Sequence, residues 1–337
     1  MIGKLLNSAK LETFRGVVSE ESSILIEGLW DAPKAVLTSL IQCVTKKHVL
    51  IVIGGAQEER RLYDDITFFR GDAIMDFPAW ETLPSERMPP SPDVVGGRYN
   101  VLNEILFSEK PQVIICNVHA LLQKVIRPLR FQELCLDFYV GEEKKFEGII
   151  AKLDAMGYKH CAVASDKGEF AVRGGIVDVF SVSSPDPLRV EFCGDKIKSI
   201  RIYDPVGQKS VRNVEKFSIM PALEMELLSN ENDPVTILDY LGTETCIVFD
   251  NILDIEDHYI SLESIPGTVS RTFGSFHGFL ERVSDHQKVF MAPMCIEKLG
   301  DMKVLDGGKR NLYSESVNSY SVSFEAFGRK IVAERWL

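Results

Sequence analysis

Residues 168–204 constrain the fold more tightly than any other part of the chain. Their apolar residues recur at every second position, the period of a strand packed on one side only. Val177 and Val179 fall on one side, with Ile176, Asp178 and Phe180 on the other. Leu188, Val190 and Phe192 likewise oppose Arg189, Glu191 and Cys193, and Ile200 and Ile202 oppose Arg201 and Tyr203. Gly194 and Asp195 stand where a tight turn would join the last two strands. The spacing predicts an antiparallel sheet whose outer side carries Arg, Glu and Tyr. Such a side is either solvated or a docking surface.

The flanking sequence has another texture. Up to residue 125, apolar strands (23–27, 48–54, 74–77, 112–117) alternate with helical patterns at 33–46, 58–69 and 98–108. That alternation indicates a mostly parallel α/β sheet. The pattern returns after residue 221, with strands at 245–250 and 288–291. The chain thus divides into a first α/β segment at 1–125, an α+β insert at 126–220 and a second α/β segment at 221–337. Within the insert, residues 146–156 read as a helix stopped by Gly157. The apolar helical stretch 324–337 has no terminal cap and reads as continuing past Leu337.

Bulk properties remove several classes of function. A net charge of −11 opposes whole-surface attraction to nucleic acid, though a local basic patch remains open. No apolar run approaches the roughly 20 residues needed to cross a bilayer, and the N-terminus lacks the apolar core of a secretory signal. The seven cysteines are scattered and never spaced CxxC, which fits a reduced protein without structural zinc. The histidines show no HxH or HxxxH spacing. No Ser-His-Asp or Cys-His set is grouped by the sequence.

Residues 28–35 lie between a strand and a helix, where a phosphate-binding loop would read GxxxxGK[ST]. Gly28 and Lys34 keep the spacing, but Pro33 replaces the second glycine and Ala35 the hydroxyl residue. Proline has no N–H to offer a phosphate, and alanine has no oxygen for Mg²⁺. Asp250 ends a strand as a Walker-B acid would, but Asn251 follows where a carboxylate base is needed. These six residues are either chance or a nucleotide site that has lost its chemistry. Both readings predict no ATP hydrolysis by this chain.

Three strings then resemble one family: residues 77–84 with the Pro-rich loop after them, residues 168–180, and residues 188–204 with their Arg-Val-Glu-Phe and Ile-Arg-x-Tyr-Asp pattern. With the altered phosphate loop, they resemble the N-terminal, UvrB-like module of bacterial transcription-repair coupling factors over most of residues 20–255. The resemblance implies a degenerate RecA-like parallel-sheet domain interrupted by an α+β domain that binds UvrA. It places the family's contact arginines at Arg173 and Arg189. Glu191, Phe192, Cys193 and Arg201 complete the candidate surface, with Cys193 standing where the family often has an aromatic. UvrB inserts a damage-probing hairpin near 80–98, but Pro84, Pro89, Pro90 and Pro92 leave no room for paired strands here.

The resemblance further implies a monomeric bacterial cytoplasmic adaptor with no catalytic residue, metal or cofactor of its own. UvrA is its partner. The parent's translocase motor, with ATP and Mg²⁺, and its contacts to RNA polymerase and DNA would lie beyond Leu337. The competing expectation is a divergent UvrB-like ATPase or helicase. Locally, Arg189 and Arg201 also have a plain role open to them, pairing with Glu191 across strands. Trp80 is expected to pack on the sheet, and Lys34 to sit solvated at a helix start.

Overall fold

The computed structural model describes residues 12–27, 29, 32–71, 74–82, 88–265 and 272–293. Its first part alternates helix and strand: α1 (Glu12–Glu20), β1 (Ser23–Glu27), α2 (Ala32–Thr45), β2 (His48–Ile53), α3 (Ala56–Arg70), β3 (Met75–Asp76), α4 (Pro92–Phe107), β4 (Val113–Asn117), α5 (Val118–Leu122) and α6 (Pro128–Leu134). Next come β5 (Leu136–Tyr139), α7 (Phe146–Ala155), β6 (Lys159–His160), β7 (Glu169–Arg173), β8 (Ile176–Phe180), β9 (Leu188–Cys193), β10 (Lys196–Tyr203), β11 (Ser210–Val214) and β12 (Lys216–Ile219). The last described part holds α8 (Glu224–Ser229), α9 (Leu238–Leu241), β13 (Thr245–Asp250), α10 (Ile252–Glu263), α11 (Phe276–Arg282) and β14 (Gln287–Ala292). Gly28, Pro84 and the 324–337 stretch lie outside the described residues.

The outer segments build one parallel sheet in the order β1-β14-β13-β2-β4-β3. Its strands read as continuous apolar runs because both faces are covered. Alternate residues serve alternate cores: Val49, Ile51 and Ile53 pack toward α1, α2 and α3, while Leu50 and Val52 join the cluster under α4 and α5. α4 begins six residues before the sequence pattern places it. Ser91 caps it, accepting from the Val94 N–H at 3.4 Å, and Pro92 occupies the first turn, where a missing N–H costs nothing. The prolines read as loop therefore end in a helix start.

The middle segment forms the second sheet, β11-β10-β9-β8-β7-β6, antiparallel except where β6 joins β7. Two-residue turns set the register of two of its strand pairs. Gly174-Gly175 joins β7 to β8, and Gly194-Asp195 joins β9 to β10, with φ of 58° at Gly174 and 63° at Gly194. Gly157 stops α7 as expected, at φ 86°, with the Tyr158 N–H donating to Leu153 O at 3.0 Å. The inner face, with Phe170, Val177, Leu188, Val190 and Ile200, belongs to the same core cluster as Leu50 and Ile114 of the parallel sheet.

The joint between the two sheets is close. A Cβ added to Gly96 of α4 would stand 1.9 Å from Val182 O. Asn100 donates to Ser183 O at 3.1 Å, and Lys167 meets Asp93 at 2.6 Å. Beneath them lies a fully buried ion pair: Arg98 Nε is 2.9 Å from Glu224 Oε2, with both side chains at 0% exposure. Trp80 Nε1 donates to the same carboxylate at 2.7 Å, and Gln123 Oε1 accepts from the Trp80 N–H and from Arg98 Nη1. Trp80 is packed, as the sequence implied, and it is also hydrogen-bonded across the joint.

Candidate functional site

The candidate contact residues sit on the outer face of the antiparallel sheet, and its register puts them in two rows. Ala171, Asp178, Arg189 and Arg201 are successive neighbours across β7, β8, β9 and β10. Arg173, Ile176, Glu191 and Ser199 form the next row. Arg189 and Arg201 are therefore directly opposed, a repulsive pairing unless each finds a carboxylate. Each does. Arg189 Nε and Nη2 each donate at 2.7 Å to Asp178, and Arg201 bonds Glu191. A bulge at Lys198 lets its ammonium reach the other Glu191 oxygen at 2.7 Å. The hydrogen bond from Lys198, with the nearby cationic charge, holds the Glu191 carboxyl below the usual carboxylate range.

This face is not the open polar side that the pleat implied. Asp178 is only 2% exposed, and Phe180 and Tyr203 are buried. The reason is the 161–166 loop folded against that face. The Tyr203 hydroxyl donates to Ala164 O at 3.1 Å, and Arg173 Nη2 donates to Ala162 O at 2.9 Å. Glu169 clasps the loop from β7, accepting from the Ser165 and Asp166 N–H groups, both at 3.1 Å. Desolvation works against the charged form of Glu169, yet these backbone donors prevail and hold its carboxyl low. Burial pushes the Tyr203 phenol up to about 12, so it stays a neutral donor.

Of the six candidate surface residues, Arg173 and Cys193 are exposed, and Arg189, Glu191 and Arg201 are partly covered. Phe192 is removed from the face. It is 7% exposed on the core side, edge-on to Phe146 of α7 at 5.2 Å. A partner on the outer face cannot reach it. Three arginines and Lys198 outnumber the three carboxylates Asp178, Glu191 and Glu169, leaving the face cationic on a chain that is acidic overall. Residues that the sequence singled out only as pleat positions, Asp178 and Tyr203, are what hold Arg189, together with Gln208. The two-residue glycine turns fix only the β7–β8 and β9–β10 pairs; Asp178 meets Arg189 through the β8–β9 register, whose connection, residues 181–187, carried no such signal.

The described phosphate-loop residues gather in the parallel-sheet part, where the start of α2 meets the end of β13. Lys34 is not solvated: its ammonium lies 2.6 Å from Asp250 Oδ1, with side chains 15% and 8% exposed. Pro33 and Ala35 flank it at the start of α2, Ala35 wholly buried. Asn251 follows at φ 58°, ψ 76°, a left-handed conformation that asparagine tolerates better than most residues. Burial raises the Asp250 carboxyl, Lys34 opposes that, and Asp254 and Glu58 add to it. Space here is short, since a Cβ on Gly54 would be 2.1 Å from Asp254 Oδ2. Among the described residues, no group of His, Cys, Asp and Glu is arranged to hold a metal, and no helix is long and apolar enough to cross a membrane.

The segment that carries this cationic, loop-buttressed face is similar to a known domain. Residues 136–225 match the UvrB interaction domain. Over about half its length the chain is similar to transcription-repair-coupling factors. It is 34% identical over 190 residues to the transcription-repair-coupling factor of Mycobacterium tuberculosis, which is 55% of this chain and 15% of that protein. The corresponding figures are 28% over 193 residues for Escherichia coli, covering 56% and 17%, and 26% over 269 residues for Staphylococcus aureus, covering 79% and 22%. The chain thus spans 15 to 22% of the length of these curated relatives.

Proposed function

We propose that this chain is a non-catalytic adaptor that recruits UvrA through the outer face of the antiparallel sheet, with Arg173 and Arg189 as its main contacts. The single observation that carries this reading is the cationic face itself, built within the segment that matches the UvrB interaction domain and braced from below. Arginine suits such a role because its planar fork makes several directed hydrogen bonds. Glu191, Arg201 and Cys193 form the margin of the surface, and Phe192 supports it from the core side.

The parallel sheet is read as a degenerate RecA-like domain formed by segments 1–125 and 221–337 around the insert at 126–220. Its strand-end corner takes no nucleotide or metal: Lys34 is engaged by Asp250, and Asp254 and Glu58 make the corner acidic, which opposes a phosphate. In the parent protein, a bacterial cytoplasmic one, an ATP- and Mg²⁺-dependent translocase motor beyond Leu337 would displace stalled RNA polymerase from DNA. This chain, a monomer, would then bring the excision-repair machinery to that site.

Capture of UvrA by the wild-type chain and by Arg173→Ala/Arg189→Ala tests the reading. Loss of about 2 kcal/mol or more of binding is expected, in line with removing central interface arginines. Undiminished capture by the double variant would remove these residues from the interface. Steady ATP turnover by the purified chain, abolished by Lys34→Ala, would replace the adaptor with the divergent ATPase.

A further inference from the structure

Arg189 is held on three sides. Nε and Nη2 each donate to a different oxygen of Asp178 at 2.7 Å. Nη2 also reaches Gln208 Oε1 at 3.3 Å. The guanidinium carbon lies 4.6 Å from the centre of the Tyr203 ring. One edge of the fork and one of its flat faces are therefore committed within the chain. Among the described residues, Nη1 has no hydrogen-bond partner, and the side chain is 17% exposed. The carboxylate that does the holding is itself nearly inaccessible, at 2% exposure, so it is not a contact for any partner.

This arrangement differs from a surface salt bridge. Gln208 belongs to the turn after β10, and that turn is organised by Asp204, which accepts from the Val206 and Gly207 N–H groups at 3.2 and 2.8 Å. Tyr203 is fixed by its bond to Ala164 O. Two of the groups touching the guanidinium, Tyr203 and Gln208, are thus anchored by others. A free arginine samples many rotamers, and fixing one on binding costs affinity; a fork already fixed does not incur that loss again.

We infer that Asp178 is the positioning residue of the interface, acting with Tyr203 and Gln208 to hold Arg189 so that its Nη1 edge faces the partner. The edge that remains suits a single carbonyl or carboxylate oxygen of UvrA, not a two-oxygen fork-to-fork pairing. The inference rests on the proposed UvrA reading and adds to it how the contact is prepared and what it accepts.

The test is a UvrA titration of the intact chain carrying Asp178→Asn, Gln208→Ala, Arg189→Lys, Arg189→Ala and the pair Asp178→Asn/Arg189→Ala. Asp178→Asn is expected to raise Kd about three- to tenfold, the scale of one immobilised side chain. Gln208→Ala, in an exposed turn, is expected to raise it by less. Arg189→Lys should lose nearly as much as Arg189→Ala, because an ammonium drawn to Asp178 leaves no second edge to present. In the Arg189→Ala background, Asp178→Asn should add nothing.

Wild-type affinity in Arg189→Ala would sink the UvrA assignment of that residue. If Arg189→Ala loses binding, the positioning role alone fails on any of three results: Asp178→Asn and Gln208→Ala both bind as wild type, Arg189→Lys retains full binding, or Asp178→Asn exerts its whole effect without Arg189. Should Asp178→Asn fail to fold, Gln208→Ala and Arg189→Lys still decide the question.

Discussion

Lys34 and Arg189 each grip a buried carboxylate, and the outcome is opposite. At the end of β13, Lys34 meets Asp250 with a compact ammonium in an acidic, tightly filled corner. On the antiparallel sheet, Arg189 meets Asp178 through two nitrogens and keeps a third. Distances of 2.6 and 2.7 Å do not separate the two cases. What separates them is donor geometry. The ammonium is a point charge whose field Asp250 largely neutralises, whereas the guanidinium is a fork with a spare edge. A cation bonded to a carboxylate is thus either closed or presented, and the number of directed donors left over decides which.

The most severe way to break the comparison is to cut the joint on which both regions depend. Arg98→Ala or Glu224→Ala would leave one member of a wholly buried pair alone, and about 3–5 kcal/mol of stability should disappear in a urea unfolding series. Next in size is Lys34→Met, which leaves Asp250 buried without its cation. Unfolding should become easier by about 2–3 kcal/mol while UvrA capture is unchanged, separating a closed pair from a presented one.

A third variant supplies the missing case, a buried carboxylate with no cation. Glu59 is 8% exposed and bonded to Asn117 Nδ2 at 2.8 Å, and burial followed by the Asp76 charge raises its carboxyl to about 7. A raised pKa means the folded state holds the proton more tightly than the unfolded chain. The associated stability is complete below the ordinary glutamate range and is lost as pH climbs through 7. Glu59→Gln should therefore gain about 1–3 kcal/mol at pH 8 and nothing at pH 4, read from thermal melts at the two values. The smallest effect belongs to Glu191→Gln. That carboxylate pairs with Arg201 and Lys198, partly exposed, and its loss, which leaves Arg201 opposite Arg189 unrelieved, should lower the midpoint of a thermal melt only slightly.

The sequence exposes whatever depends on neighbours along the chain. Pleat alternation at Val177, Val190 and Ile200, the glycine turns and the stop at Gly157 are all local, and all appear as read. The early start of α4 was hidden because Pro92 marks a loop and a first helical turn equally well. Pairings across long separations left no trace. Nothing near Arg98 points to Glu224, 126 residues away, and although Lys34 and Asp250 read as parts of one altered nucleotide site, nothing marked them as an ion pair. On the candidate face, periodicity gave the side on which each arginine lies. It could not show that the 161–166 loop covers Tyr203, because a loop's path follows from hydrogen bonds that have no period.

Gly96 has a mechanical consequence. With only a hydrogen where other residues carry a methyl group, the axis of α4 comes down onto the Val182 carbonyl, and the two sheets meet without slack. Close-packed interiors resist deformation and pass strain onward. A pull on the arginines would therefore travel through a stiff coupling into the strands of the parallel sheet, as along a rod, and would not be absorbed by a yielding tether. Gly96→Ala would act as a wedge at that coupling, prising the sheets apart while leaving Arg173, Arg189 and Arg201 on their own sheet.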